Sequence, residues 1–478
     1  MTDNIITEKS SQAPDAKRMP VIMQIIPSLG AGGAEQGCID VAAELVKSGS
    51  TSIVVSHGGH RVPEIVRAGS IHIDLPVHSK NPLVMWRNIS RLRRLIRKYD
   101  ADIVHARSRA PAWSAWKACR KTKARFMTTC HAPFNISGGL KRFYNSSIAK
   151  GERIIAISNY VRNYLLKNYA VDESRLRLIH RGVAIEKFHP NAVAPAHLIK
   201  ISQEWRLPDS CRIVMMPARL TRWKGPLVLI EAMAKLNRDD VFCILIGDDQ
   251  GRKDFRAEVE NAIKEKDLEG RIRIIGHCSD MPAAYMLATV IVCASTDPEG
   301  FGRVPIEAQA MGRPIVATDH GGAQETIIAG ETGWLVPPSD ADALAKAIGE
   351  ALDMDDEKRF TMATRSMMHI AENFTKTRML DSTMDVYAEL LYEKYKPHEI
   401  AALPEPLPES LPEPPREPLA ESLAEPPPAN AQNPAASSTP AKAGKDESPP
   451  ASGKTGEESG TSAQPGGTSA LAAGKKAV

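Results

Sequence analysis

No hydrophobic run in the 478 residues approaches the length that spans a bilayer, and no basic, apolar-cored leader opens the chain. The expectation is a cytoplasmic protein, either free or peripheral on the cytoplasmic face of the inner membrane. Cysteines are few and scattered: Cys38, Cys119, Cys130, Cys211, Cys243, Cys278 and Cys293 show neither a zinc spacing nor a disulfide framework. Most lie in apolar runs, as reduced, buried thiols do. Several catalytic signatures are also missing: H-E-x-x-H, G-x-S-x-G and G-x-x-x-x-G-K-[ST] do not occur, and no D-x-D stands in a strand-end loop to hold Mg²⁺. P-loop ATP hydrolysis is therefore disfavoured.

Aromatic residues vanish from residue 397 onward, where L-P-E-P-L-P-E-S-L-P-E-P-P-R-E-P gives way to Ala, Ser, Gly, Lys and Pro. Such a segment buries too little apolar surface to offset its ordering entropy, so 397–478 is expected to be a disordered tail, and 1–18 a flexible N-terminus. The net charge of +4 hides a local asymmetry. Between Arg87 and Arg125 bases are dense, with only Asp100 and Asp102 against them. An R-x-x-x-R-x-R-R-x-x-R spacing on a helix suits an anionic membrane surface, with a solvated helix face as the plain alternative. Nucleic acid is not expected, because no recognition motif or interleaved aromatics accompany the bases.

What remains, 42% hydrophobic and 25% charged, suffices for two domains. Short β-branched runs alternate with amphipathic ones. Strands are expected at 21–27, 51–56, 71–76, 102–107, 124–131 and 153–158. A second round runs through 212–217, 241–247, 271–276, 290–295, 314–318 and 333–337. Its helices are expected at 226–236, 252–267, 280–287, 303–311 and 341–352, and another helical stretch contains E-W-R-L-P. This rhythm predicts an α/β protein of two doubly wound, Rossmann-like domains, 19–195 and 196–375, facing across a cleft. Ligands in such folds bind beyond the carboxyl ends of the strands.

Four constellations fall there. L-G-A-G-G-A-E at 29–35 places Gly32 and Gly33 before a helix, either to admit a ligand to backbone amides or as a plain tight turn. M-P-A-R-L-T-R-W-K-G at 216–225 brings Arg219, Arg222 and Lys224 into one loop, as anionic oxygens require, with Arg219 and Lys224 better placed than Arg222. D-P-E-G-F-G-R-V-P-I-E at 297–307 sets Glu299 before a glycine turn and Glu307 one helical turn beyond it. The amides of Gly302, Arg303 and Val304 stay free between them to receive a phosphate oxygen. Finally, His131 ends a first-domain strand. Ser158, Asn159, Arg181, Asp248, Asp249 and Glu325 are further cleft-side candidates, several of which suit helix caps instead.

With these residues in place, the chain closely resembles glycosyltransferase family 4, of the two-domain glycosyltransferase B fold. The resemblance rests on G-A-G-G-A-E, His131, R-L-T-R-W-K-G, I-G-D-D-Q-G-R, E-G-F-G-R-V-P-I-E-A-Q-A-M-G-R-P-I-V-A-T and G-G-A-Q-E-T, across about residues 20–395. It implies a retaining, metal-independent hexosyltransferase without a cofactor, using a GDP- or UDP-linked sugar as donor. Arg219 and Lys224 would grip the diphosphate, Glu307 the ribose, and Glu299 the hydroxyls of the hexose. His131 would sit over the sugar, the loop at 30–33 would line the acceptor side, and a last helix at 376–396 would cross back to the first domain. Ala184 departs from the acid that relatives carry after the R-G-V turn. The acceptor implied is a lipid-linked or envelope glycan such as lipopolysaccharide core, and the sugar mannose. The alternatives are a phosphorylase or sugar-nucleotide epimerase of the same fold and a non-catalytic carbohydrate-binding relative.

Overall fold

The computed structural model describes residues 18–30 and 32–395; of the expected flexible start at 1–18 all but Arg18 lies outside them, as does the expected tail at 397–478. Two parallel sheets organise the chain. The first contains β1 (Val21–Ile25), β2 (Thr51–Ser56), β3 (Ile71–Asp74), β4 (Ile103–Ala106), β5 (Arg125–Cys130), β6 (Arg153–Ala156) and β7 (Leu176–Leu178), in the order β3-β2-β1-β4-β5-β6-β7. The second contains β8 (Arg212–Pro217), β9 (Val241–Ile246), β10 (Ile272–Ile275), β11 (Val290–Cys293), β12 (Ile315–Thr318) and β13 (Trp334–Val336), in the order β10-β9-β8-β11-β12-β13.

Local sequence explains these elements. Every residue of β1, β4, β9, β11 and β12 is buried, as strands covered by helices on both faces must be. The helix Gly33–Lys47 turns Cys38, Val41, Ala42 and Leu45 inward at helical spacing, and Gly49 closes it with φ +81°. The stretch E-W-R-L-P is a correction: the helix there is Pro195–Glu204, and Trp205 to Pro208 follow it. Trp205 is buried, and the guanidinium of Arg273 donates to its carbonyl, fixing this segment to the second sheet.

The last helix, Lys376–Tyr395, packs on the first sheet. Its Leu380, Val386, Tyr387 and Leu390 join Ile22, Ile103, Met127 and Ile155 in one apolar cluster. Glu389 accepts from Arg153 Nε at 2.8 Å and from Arg177 Nε at 3.0 Å, and Lys394 Nζ donates to Asp102 at 2.5 Å. The chain passes between the sheets twice, and the passages run side by side. Val183 donates its amide to Phe374 O at 2.9 Å and accepts from Lys376 N at 2.8 Å. These bonds tie the two passages to each other where the chain crosses between the sheets.

Candidate functional site

The order of the second sheet puts β8 directly beside β11, where successive connections depart in opposite directions. Loops leaving two such strands open a crevice between them. Here the loops touch: Thr296 N donates to Trp223 O at 2.8 Å. Gly225 has φ +76°, and a Cβ on it would lie 1.9 Å from Ala294 O, so only glycine permits this approach.

That contact unites the basic loop with the acidic one. Lys224 Nζ lies 2.5 Å from Glu299 Oε1, and both side chains are largely buried. Ser295 Oγ also donates to Glu299 Oε1, at 2.6 Å. Burial raises the Glu299 pKa, but the Lys224 charge and the hydrogen bonds from Lys224, Ser295 and Cys293 outweigh it and hold the carboxyl below its ordinary range. Arg219 is exposed, and its guanidinium has no hydrogen bond or ion pair among the described residues. Arg222 turns away to Glu258, with Nη1 2.7 Å from Oε1.

Beyond Glu299 the chain turns through Gly302, at φ +82°, into the helix Arg303–Ala310. No side chain caps that start, so its first amides face the crevice. Glu307 is held from two sides: Tyr285 Oη donates to Oε2 at 2.9 Å, and Arg303 Nη2 lies 2.8 Å from Oε1. The two glutamates therefore answer to different cations and do not form an acid pair.

The first domain contributes from the opposite side. His131 leaves the end of β5, and its Nδ1 receives a hydrogen bond from Arg181. A guanidinium only donates, so Nδ1 must accept, and the proton of the neutral ring resides on Nε2. Burial, reinforced by the charges of Arg181 and Arg107, lowers the His131 pKa well below its ordinary value and keeps the ring neutral. Nε2 is buried without a partner among the described residues. His131 thus presents a buried Nε2–H hydrogen-bond donor toward the cleft. Burial, then the neighbouring Arg107 and Arg303, bring Arg181 down to about 9, still charged at neutral pH. Gly33 approaches the same region, since a Cβ on it would lie 3.2 Å from Arg303 Cδ.

The halves are latched. Glu325, from the second domain, accepts from the amides of Asn159 at 2.7 Å and Tyr160 at 2.8 Å, and contacts His180 Nε2 at 3.0 Å. Ser158 Oγ caps the same first-domain helix through Val161 N at 3.0 Å and donates to Gly300 O at 2.5 Å. Burial raises the Glu325 pKa, but His180 and the two amides pull it below the ordinary 4.5. The latch is therefore complete above pH 4.5 and is lost as pH falls through the lower folded value. Glu325→Gln is expected to cost about 1–3 kcal/mol at neutral pH and to remove this acid-dependent component. Thermal denaturation followed across that pH range checks it.

Asp248 and Asp249 accept amides two residues ahead, from Gln250 and Gly251, as Asx turns, and so act on their own loop. Ser295, Tyr285, Arg107 and His320 belong to the site but were not singled out by sequence. Tyr285 sits in M-P-A-A-Y, a helical face that reads as core. His320 adjoins a small cavity under the loop with Ser295, Glu299 and Thr318, and neither of its ring nitrogens has a partner among the described residues.

Residues 199–367 match the family of glycosyl transferases group 1, and residues 31–187 match Glycosyltransferase Family 4. A crystal structure of a glycosyltransferase from Rickettsia africae ESF-5 is 38% identical, with TM-score 0.73, and is matched over 99% of its length and 78% of this chain. The chain belongs to glycosyltransferase family 4. Anabaena Alr3699/HepE in complex with UDP-glucose superposes with TM-score 0.69 at 21% identity, over 77% of this chain and 99% of that one, a likeness of fold. The fold is GT-B, two Rossmann-like domains across a cleft. D-inositol 3-phosphate glycosyltransferase from Salinispora tropica is 29% identical over 52% of this chain and 52% of its own length. The family 4 chain thus spans about half the length of that curated relative. No helix among its described residues is long and apolar enough to cross a membrane.

Proposed function

We propose that the protein is a retaining, metal-independent glycosyltransferase that moves a hexose from a UDP- or GDP-linked donor to a lipid-linked or envelope-glycan acceptor. The observation that carries this is the convergence at the β8/β11 crevice. A cation, an uncapped helix start and two separately held carboxylates follow one another there, opposite a neutral His131 with a free Nε2–H. Their order matches a nucleotide-sugar read from its two ends.

Cleaving the anomeric bond builds negative charge on the nucleoside diphosphate and positive character on the sugar. Lys224, Arg219 and the amides of Gly302, Arg303 and Val304 stabilise the leaving diphosphate. Glu307, fixed by Tyr285 and Arg303, accepts hydrogen bonds from the ribose hydroxyls. Glu299 orients hexose hydroxyls, and His131 donates through Nε2 to a sugar oxygen. The acceptor hydroxyl attacks on the face the diphosphate leaves and passes its proton to the departing phosphate oxygen, so the anomeric C–O bond to the diphosphate breaks as the new one forms, and configuration is retained without a covalent intermediate. The loop containing Gly32 and Gly33 lines the acceptor side. Closure of the halves excludes water that would hydrolyse the donor. The wording G-D-D-Q-G-R at 247–252 and T-D-H-G-G-A at 318–323 supports an acceptor such as lipopolysaccharide core, with mannose as the transferred sugar.

Incubation with UDP-, GDP- and ADP-hexoses and extracted envelope glycans tests this. Release of nucleoside diphosphate from one donor, with the anomeric configuration of the donor retained in the product by NMR, is expected to persist after chelation of divalent cations. An inverted product, or turnover that stops on chelation, contradicts the proposed mechanism. Sugar-nucleotide turnover without any acceptor product favours the epimerase instead.

A further inference from the structure

The helix Pro82–Lys98 follows β3, so its first turn lies at the cleft end of the first sheet. Its inner face buries Met85, Asn88, Leu92 and Ile96. Its outer face carries Arg87, Arg91, Arg94, Arg97 and Lys98, all exposed. None of these five cations forms an ion pair among the described residues, and the helix contains no acid. At the cleft end of the same face, Leu83 is 69% and Trp86 68% exposed.

A second apolar tip lies on the same side of the sheet. The helix Arg109–Cys119 joins the two: Ser114 Oγ donates to Met85 O at 2.9 Å, and Arg109 Nη1 donates to Asn145 at 2.9 Å. Asn145 ends the helix Gly139–Asn145, on which Leu140 is 88% and Phe143 65% exposed, flanked by exposed Lys141 and Arg142. Lys117, Arg120 and Lys150 surround Trp116 at 4.6, 5.6 and 5.7 Å, extending the basic field. Large apolar side chains exposed at one end of an unneutralised basic face are costly in water unless something covers them.

We propose that this face docks on an anionic lipid bilayer. Leu83, Trp86, Leu140 and Phe143 enter the interfacial layer, and Arg87, Arg91, Arg94 and Lys98 lie on the headgroup phosphates. A polyanion such as RNA would use the cations equally well and could stack on Trp86 and Phe143, but the more exposed Leu83 and Leu140 offer it nothing. A bilayer uses both. The docked orientation sets the cleft end of the first sheet against the membrane, the position from which a lipid-linked acceptor reaches His131. Docking itself does not depend on the transfer reaction.

Sedimentation of the full chain with vesicles tests it in the absence of donor and acceptor. Binding is expected to vesicles containing phosphatidylglycerol and not to pure phosphatidylcholine, and to weaken as salt rises. Changing Arg87, Arg91 and Arg94 together to glutamine should weaken it about a hundredfold. Trp86→Ala with Phe143→Ala should reduce it while leaving the circular dichroism spectrum and donor turnover on a soluble acceptor unchanged. Vesicle binding unaffected by either set overturns the proposal. Single-stranded RNA binding that matches vesicle binding, whether or not it depends on the aromatic pair, also overturns it, in favour of a polyanion site.

Discussion

Lys224→Ala is expected to lower turnover by about 10²–10³-fold, the loss typical when one preorganised charge is removed from a leaving group. It should also destabilise the fold by about 3 kcal/mol, because Glu299 keeps its burial and loses its cation. The double variant Lys224→Ala with Glu299→Gln separates these effects: stability should largely return, and turnover should not. The pH dependence should also weaken. In the native chain the Glu299 carboxyl lies below 4.5, so its contribution is present above that pH and fades as pH falls through the folded value. Without Lys224 the largest influence that lowers the carboxyl is gone, so its pKa rises toward the ordinary value and the stability lost on acidification shrinks. Thermal unfolding of the three proteins at several pH values, beside initial rates, tests both.

Gly300→Ala should produce a different failure. A Cβ there would lie 2.5 Å from His131 O and 3.0 Å from Ala132 Cα, both backbone atoms of the opposite domain. Gly300 does not have a positive φ, so alanine suits its own loop and clashes only across the cleft. The second domain should fold and bind nucleotide as before, while the halves stay about an ångström further apart than in the parent protein. Displacement on that scale costs on the order of 10²-fold in rate. Calorimetric titration with nucleotide should therefore match the parent protein while turnover drops. Weakened nucleotide binding would instead place the damage inside the second domain.

Sequence revealed the sheets well where strands are fully buried. The runs containing β8, β9 and β12 stand out because every residue or nearly every residue faces apolar cover. β7 carries no such signal: it has three residues, of which only Leu176 is buried, so it lacks a hydrophobic run. The helix Asp356–Asn373 is equally faint in the sequence, with only Ser366 and Ile370 buried among its charged residues. At the site, Lys224 and Glu299 were each legible from their loops, yet their contact depends on β8 lying beside β11. Strand order is a long-range property that local periodicity does not encode. Tautomer and latch were hidden for the same reason, since His131 meets Arg181 fifty residues later and Glu325 meets Asn159 across the cleft.

The most direct test of a crevice built for a nucleotide-sugar is calorimetric titration of the whole chain with UDP-, GDP- and ADP-sugars, alongside Glu307→Ala. Binding of at least one donor is predicted, weakened about tenfold or more by the substitution, since a ribose hydroxyl then loses a charged acceptor. If none of these donors binds, or the bound donor ignores the loss of Glu307, the crevice between β8 and β11 is not a nucleotide-sugar site.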